Sequence, residues 1–147
     1  MASITGMSTE DRLAIQELFA RYAWACNTGS QQMLFDSFTE DCLIINPSQQ
    51  HEVGHEGLQA FGDFMFNRPE FGGRQHYVGQ LLIQGNGERC TVKSYCYVHE
   101  WIRGTETRQL YRLFWYDDVC VKVDGRWLFQ NRHIKPWAGD FLPWKAI

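Results

Sequence analysis

The sequence predicts one α+β domain in which helices come first and a long antiparallel sheet follows. Apolar residues recur at helical spacing in the first half of the chain, whereas four strand-like segments fill the second half. Turn signals separate these segments, at 85–87, 104–105 and 124–125. Helices and strands are therefore segregated along the chain, which is the pattern of the α+β class.

The first half contains three predicted helices and one short strand. Ser8, with Asp11 three residues later, has the form of a capping box, so the first helix begins there. It ends near Asn27-Thr28-Gly29, where its apolar periodicity stops. The second helix is predicted at 31–38 and the third at 58–66. Between them lie a strand at 42–46, which Pro47 ends, and a polar loop at 49–54.

The second half contains four predicted strands, at 74–84, 88–103, 106–123 and 126–134. The tail, 135–147, carries two prolines and two tryptophans, and we expect it to form a flap. Residues 1–7 lack the apolar core of a signal peptide, so we interpret them as a leader or tag remnant. The single domain is then predicted to cover residues 8–147.

Composition narrows the possible partners. A net charge of -3 without a basic cluster argues against nucleic acid and against an anionic membrane surface. No apolar run approaches the roughly 20 residues of a membrane span. The five cysteines are odd in number and lack C-x-x-C spacing, which indicates reduced thiols in a cytoplasmic protein. The aromatic share of 15% fits a ring-lined cavity, a subunit interface or an aromatic core.

The turn signals also predict which side chains share a face of the sheet. Two-residue loops at Asn86-Gly87 and Gly104-Thr105 would place His76 opposite Tyr97, and Tyr97 opposite Arg112. The predicted polar face then holds His76, Tyr95, Tyr97, His99, Trp101, Leu110, Arg112 and Phe114, and, unless a bulge near Asp117 intervenes, Tyr116, Asn131 and His133. A one-residue slip would reverse any of these assignments.

We assign this polar face to a cavity under the helices, because buried polar groups need partners and a wet cavity supplies them. The opposite, apolar face is then expected to meet another subunit. Arg112 needs a charged partner there, and the sequence leaves two possibilities open: Glu100, which would be structural, or an anionic or phenolate substrate. His76 alone could equally be a structural histidine at the start of a strand.

Three segments resemble the nuclear transport factor 2-like superfamily, in its SnoaL-like and scytalone dehydratase branch. They are Ala14-Ile15-Gln16-Glu17-Leu18-Phe19 through Cys26-Asn27-Thr28-Gly29, then Phe38-Thr39-Glu40-Asp41, then Arg74-Gln75-His76-Tyr77-Val78-Gly79. The resemblance covers residues 9–135. It implies a fold in which three N-terminal helices pack in the concavity of a strongly curved, mostly antiparallel sheet.

The resemblance also implies roles for individual residues. His76 matches the catalytic histidine shared by scytalone dehydratase, hexachlorocyclohexane dehydrochlorinase and the bile-acid 7α-dehydratase, and His99 matches the second active-site histidine of scytalone dehydratase. Asn46 stands where that enzyme has a tyrosine, Arg112 where it has an asparagine, and Tyr22 where the dehydrochlorinase has a cavity lysine.

The chain departs from the family at Asn27, where an aspartate commonly pairs with the histidine. An aspartate fixes the imidazole tautomer and stabilises the imidazolium, whereas asparagine can only orient the ring. Three outcomes follow from the sequence: His76 is a weaker base acting on a more acidic proton, it donates a hydrogen bond while another group is the base, or the site has lost catalysis.

The sequence and the resemblance together predict a cofactor-free lyase or isomerase that acts on a small aromatic or polycyclic substrate. His76 is expected to transfer the proton, His99 to polarise an oxygen, and Arg112 to stabilise negative charge, with Asn27 and Tyr22 orienting. The predicted substrate-binding walls are Tyr95, Tyr97, Trp101, Asn46, Phe114 and Trp24.

No metal is expected, since His51 and His55 have helical spacing but lie around Gly54 in a polar loop. Two alternatives to an enzyme are a non-catalytic ligand-binding protein of the same fold and a structural partner like the small subunit of ring-hydroxylating oxygenases. The resemblance implies a homo-oligomer, with a trimer favoured over a dimer.

Overall fold

The computed structural model describes residues 6–68 and 70–145 of the chain. The helices are α1 (Thr9–Thr28), α2 (Gln31–Asp36) and α3 (Gly54–Phe66), and the strands are β1 (Phe38–Ile45), β2 (His51–Val53), β3 (Phe71–Gly85), β4 (Arg89–Ile102), β5 (Arg108–Val123) and β6 (Arg126–Pro136). The predicted α+β class is confirmed. Several boundaries differ from the prediction: α3 starts at Gly54 instead of 58, β1 at Phe38 instead of 42 and β3 at Phe71 instead of 74, while α2 ends at Asp36 instead of 38. The predicted polar loop contains the short strand β2.

The first helix has the ends that its sequence predicts. The Ser8 side chain accepts a hydrogen bond from the backbone N–H of Asp11 at 3.0 Å, which satisfies one of the unpaired donors of the first turn. Gly29 ends the helix with φ +71°, a conformation that strains residues with a Cβ. The buried face of α1 packs on the sheet, and Asn27 lies in its last turn.

The six strands form one curved sheet in the order β2-β1-β6-β5-β4-β3. All neighbours are antiparallel except β1 and β6, which run parallel. The helices cover one face, called here the inner face, and the buried core lies between them and the sheet. Strand β3 is an edge strand, so part of its backbone N–H groups have no strand partner and must find others.

Two β-bulges decide which side chains reach the inner face. Near the turn of the β3–β4 hairpin, Gly85 pairs with Cys90, which differs from the predicted register by two residues. Because side chains alternate with a period of two, this difference alone leaves the predicted faces unchanged. One extra residue then enters β3 between Gly79 and Leu82, where Gln80 has φ +56°, so that His76 pairs with Val98 instead of Tyr97.

A second bulge lies between β4 and β5. His99 pairs with Leu110 as predicted, but Val98 pairs with Arg112, so Tyr111 is the extra residue. The two shifts cancel across the three strands. His76 and Arg112 therefore share the inner face as predicted, whereas the β4 residues between them are the even-numbered ones. The register between β5 and β6 also differs from the prediction. Tyr116 pairs with Ile134 and Asp117 with His133, so Asn131 and His133 are not on the face of His76.

The first and the last described residues both contact the rest of the domain. Most of the predicted leader, residues 1–5, lies outside the described residues, but Gly6 forms a bridge with Asn86 and the Met7 side chain is buried in the core. At the other end, the tail runs onto the outer face of the sheet, where the Trp115 indole N–H donates to the backbone oxygen of Phe141. The predicted flap thus covers Trp115, and among its described residues Pro136, Trp137 and Ala138 border the inner cavity.

Candidate active site

A cavity of about 840 Å³ opens on the inner face of the sheet. Its walls come from α3, the turn after β1, the inner face of strands β3 to β6, and the start of the tail. Cavities of roughly 300–1,000 Å³ hold small organic ligands, so this space suits a bicyclic or larger aromatic molecule.

His76 borders this cavity and is held by Asn27. The backbone N–H of His76 donates to Asn27 Oδ1 at 2.9 Å, and the ring Nδ1 lies 2.7 Å from the same oxygen. Because a backbone N–H can only donate, the atom that it meets must be the amide oxygen. The contact therefore fixes the orientation of the Asn27 amide. It also satisfies an N–H group of the edge strand β3.

The same geometry fixes the tautomer of His76. A carbonyl oxygen accepts but does not donate, so Nδ1 carries the hydrogen and Nε2 is the nitrogen with a free lone pair. Burial, together with the positive charges of Arg74 and Arg132, lowers the pKa of His76 to about 4. At neutral pH the ring is therefore uncharged, with an unprotonated Nε2 available as an acceptor.

Arg112 lies on the inner face in the same cross-strand row as His76. His76 pairs with Val98, and Val98 pairs with Arg112. Neighbouring strands lie about 4.8 Å apart, so the two backbones are separated by roughly 10 Å. Val98 is buried between them. An apolar floor with a neutral imidazole on one side and a guanidinium on the other is the chemical outline of the site.

A buried ion pair joins the neighbouring strands β5 and β6. Arg132 and Asp118 are both fully buried and joined by two hydrogen bonds, of 2.9 and 2.7 Å. Burial alone would lower the pKa of Arg132, but the facing Asp118 carboxylate raises it, whereas for Asp118 burial raises the pKa and the guanidinium opposes that change. The Tyr22 and Tyr116 rings lie 4.1 and 3.9 Å from the guanidinium carbon, in cation–π contact.

Several predicted site residues lie elsewhere. The prediction that His99, Tyr95, Tyr97 and Trp101 face the cavity with His76 is wrong, because the bulge at Gln80 exchanges the two faces of β4 relative to β3. All four side chains are exposed on the outer face, where the Tyr97 and His99 rings are 5.7 Å apart. Trp24 is also wrongly placed by that prediction, since it is 63% exposed on the surface of α1.

Other predicted residues do border the cavity. Tyr22, Asn46, Arg112 and Phe114 all line it. The amide oxygen of Asn46, however, accepts from the backbone N–H groups of Ser48 and Gln50, so its main contacts hold the turn after β1. Tyr22 is buried, and burial raises the pKa of its hydroxyl well above the usual value, which keeps it neutral.

Sequence reasoning missed three basic or acidic residues of the inner face: Arg74, Arg132 and Asp118. Arg74 precedes His76 by two residues and could have been found from strand alternation alone. Arg132 and Asp118 are directly paired in the sheet, but the predicted register for β5 and β6 did not place them together.

The described residues contain no group of three or more His, Cys, Asp or Glu side chains arranged to hold a metal ion. All five cysteines are buried and unpaired. None of the helices in the described ranges is long and apolar enough to cross a membrane.

Comparison with known proteins agrees with this architecture. Similar solved structures include a protein of unknown function with a cystatin-like fold from Nostoc punctiforme PCC 73102 (24% identity, 88% of this chain and 93% of that chain covered, TM-score 0.78). A second is an NTF2-like protein with a cystatin-like fold from Novosphingobium aromaticivorans (21%, 88% and 84%, 0.78). A third, from the same species, is named as a candidate scytalone dehydratase (20% identity, 88% of this chain and 88% of that chain covered, TM-score 0.74).

At these identities the likeness shows the fold. No curated protein matches the chain. The family model described as a SnoaL-like domain matches residues 7–133, which is most of the sequence. The chain therefore belongs to the SnoaL-like domain family, as the three sequence segments predicted.

Proposed function

We propose that this protein is a cofactor-independent lyase or isomerase that moves a proton on a small aromatic or polycyclic substrate, with His76 as the base. The observation that carries the proposal is the double hydrogen bond from His76 to Asn27 Oδ1, which leaves Nε2 unprotonated on a ring that borders the cavity. A general base needs both properties, a free lone pair and access to the substrate.

The proposed reaction begins at a C–H bond next to a carbonyl group. Nε2 of His76 takes the proton, and the C–H electron pair delocalises onto the carbonyl oxygen as an enolate. In an elimination, the enolate re-forms the carbonyl as the bond to a neighbouring hydroxyl breaks, and the imidazolium returns its proton to the departing hydroxide, giving water. In an isomerisation, the same proton returns to a different carbon. Both routes restore the neutral imidazole.

Asn27 limits which C–H bonds are suitable. It orients the ring but supplies no negative charge to the imidazolium, and a pKa of about 4 describes a weak base. The substrate must therefore have an acidic C–H bond, as a carbon that lies between a ketone and an aromatic ring does. In this proposal Arg112, across the Val98 floor, stabilises negative charge on the substrate, and Tyr22 shapes the wall.

One observation favours a second candidate function, a ligand-binding protein without catalysis. Asn27 stands where the family commonly has an aspartate beside this histidine. The charges that act on His76, those of Arg74 and Arg132, are positive. If these charges make protonation of His76 too costly, the cavity would bind an aromatic ligand and leave it unchanged.

Exchange of hydrogen for deuterium separates the two functions without knowledge of the leaving group. The purified protein would be incubated in D₂O with 2-tetralone, a bicyclic aromatic ketone, and loss of the C1 proton signal followed by NMR. The proposal expects exchange above the buffer rate, at least 100-fold reduced in His76→Gln, within the usual contribution of a general base.

His99→Gln is the matched control, because His99 lies on the outer face and should leave the exchange rate unchanged. Exchange that is equal in the wild type and His76→Gln would contradict the enzyme proposal. Tetralone that binds without exchanging would support the binding protein instead.

The partner proposed for this chain is a second and third copy of itself. Tyr77, Tyr95, Tyr97, Trp101 and Leu113 form an exposed patch, called here the outer aromatic face, in which the Tyr77 and Tyr97 rings stack at 5.5 Å. Exposed apolar patches of this kind mark interaction surfaces, and a homo-oligomer, trimer rather than dimer, would cover the outer aromatic face.

A cytoplasmic location, which fits five unpaired cysteines, belongs to the same proposal.

A further inference from the structure

Three arginines border the cavity, and they differ in what balances their charge. Arg68, Arg74 and Arg112 all line it, against a single acidic side chain, Glu52. The cavity lining is therefore positive although the whole chain has a net charge of -3. Such a segregation of charge attracts anions to the site.

Two of the three arginines have other polar contacts within the protein. Arg68 forms an ion pair with Glu70 at 3.2 Å. Burial lowers the pKa of Arg74, and the charge of the buried Glu100, which lies opposite it in the β3–β4 register, acts in the other direction. The Arg74 guanidinium also donates to the backbone oxygen of Met65 at 3.4 Å. Arg68 is therefore paired with a carboxylate, and Arg74 lies near the Glu100 charge and donates a hydrogen bond within the protein.

Arg112 has no such partner. In the ranges that the structure describes, no carboxylate lies within 4.0 Å of its guanidinium. The structural alternative raised by the sequence, an ion pair with Glu100, is not formed, because Glu100 accepts a hydrogen bond from Gln109 and lies across from Arg74. The Arg112 guanidinium instead lies over the Tyr111 ring, 5.2 Å from its centroid, at the edge of the cavity.

The surroundings of Arg112 describe the rest of the ligand. Val98 forms the floor between Arg112 and His76, and Phe61, Phe64 and Ile134 belong to the walls. A flat apolar body fits this lining, and a planar carboxylate matches the fork of a guanidinium with two parallel hydrogen bonds.

We propose that the substrate of this site is an aromatic carboxylate, whose carboxylate binds Arg112 while its ring system lies on Val98 and reaches His76. This inference deepens the function proposed above and rests on it. The anion then fixes the register of the ring system, so that the C–H bond that reacts is set by its distance from the carboxylate.

Calorimetric titration with two probes of the same shape tests the proposal. The probes are 2-naphthoate and its uncharged isostere 2-naphthamide, each titrated into the wild type, Arg112→Gln, Arg112→Lys and Arg108→Gln. Arg108 is the matched control, because it is an exposed arginine of the same strand that does not line the cavity. Thermal unfolding of each variant would check that the fold is intact.

We expect naphthoate to bind the wild type more tightly than naphthamide, and its Kd to rise about 10- to 100-fold in Arg112→Gln, the range for a lost charged hydrogen bond. Arg112→Lys should give an intermediate loss, since it keeps the charge but not the fork. Equal affinity for the two probes, no binding of naphthoate, or equal losses in Arg112→Gln and Arg108→Gln would each overturn the inference.

These outcomes are independent of the exchange assay. Naphthoate binding that depends on Arg112, combined with no His76-dependent exchange, would retain the anion site and reject the enzyme. Exchange without a preference for the carboxylate would reject only the anion site.

Discussion

Replacing Asn27 by aspartate should raise the pKa of His76. In the wild type, burial and the charges of Arg74 and Arg132 lower this pKa from 6.5 to about 4. The new carboxylate would lie 2.7 Å from Nδ1, at the place of the amide oxygen, and would keep both hydrogen bonds. An opposite charge at this distance typically shifts a pKa by about 1–3, so we expect His76 of the variant to titrate between about 5 and 7.

The change should also appear in the stability of the protein. The pKa of His76 in the folded wild type lies below its unfolded value, so the unfolded chain binds more protons as the pH falls from 6.5 towards 4. The associated stability is complete above pH 6.5 and is lost progressively below it. At pH 5.5 the loss is roughly 1.4 kcal/mol. In Asn27→Asp it should be smaller, about 1.2 kcal/mol for a pKa of 5 and about 0.6 kcal/mol for a pKa of 6, because the folded and unfolded pKa values are closer.

NMR titration of ¹⁵N-labelled imidazole groups measures the pKa directly, with His76→Gln assigning the signal among the five histidines. Urea unfolding at pH 7.5 and 5.5 measures the linked loss of stability, with His76→Gln again as the reference for what other groups contribute. A wild-type pKa at or above 6.5, or an unchanged pKa in Asn27→Asp, would refute the electrostatic reasoning about this pair.

Three further predictions concern the rest of the molecule. Asp118→Asn should lower the free energy of unfolding by about 3–5 kcal/mol in urea denaturation, because it leaves the buried Arg132 without its counter-charge. Tyr97→Lys should lower the molar mass measured by light scattering after gel filtration to that of one 17.2 kDa chain, since it puts a charge into the outer aromatic face. Gln80→Gly should raise the unfolding free energy by up to about 1 kcal/mol, because glycine adopts φ +56° without strain.

Each of these predictions has a specific contradiction. Glu17→Gln, which removes an exposed ion pair with Arg21, is the control for Asp118→Asn and should cost under about 1 kcal/mol; a similar cost for both would mean that the buried pair is not coupled to folding. A wild type that already elutes as a single chain would reject the oligomer. A destabilised Gln80→Gly would show that the glutamine side chain, rather than the backbone, holds the bulge.

The elements of the fold could be predicted because their signals are local. Ser8 and Gly29 fix the ends of α1 through backbone hydrogen bonds within a few residues. Likewise, the turn at Asp124-Gly125 joins β5 and β6 where the sequence placed it, with positive φ at both residues. The family resemblance contributed the packing of the helices in the concavity of the sheet and the catalytic role expected of His76.

The lining of the site was harder to predict, because it depends on register over long strands. The bulge between Gly79 and Leu82 has its positive φ at Gln80 rather than at a glycine, so the residue types do not reveal where the register shifts. One unrecognised residue moved His99 and Tyr97 from the predicted cavity to the surface. Arg112 was placed correctly because the second bulge, at Tyr111, compensated for the first.

The second bulge reverses the change in side-chain alternation that the first bulge introduces. Between the bulges, the β4 side chains on the inner face are those that the predicted register places on the outer face. Beyond the second bulge, at Arg112, the predicted faces hold again. An alignment of relatives that does not allow for the extra residue at Gln80 or at Tyr111 would therefore equate cavity residues of one protein with surface residues of another. Comparisons of specificity within the family should count bulges before they compare side chains.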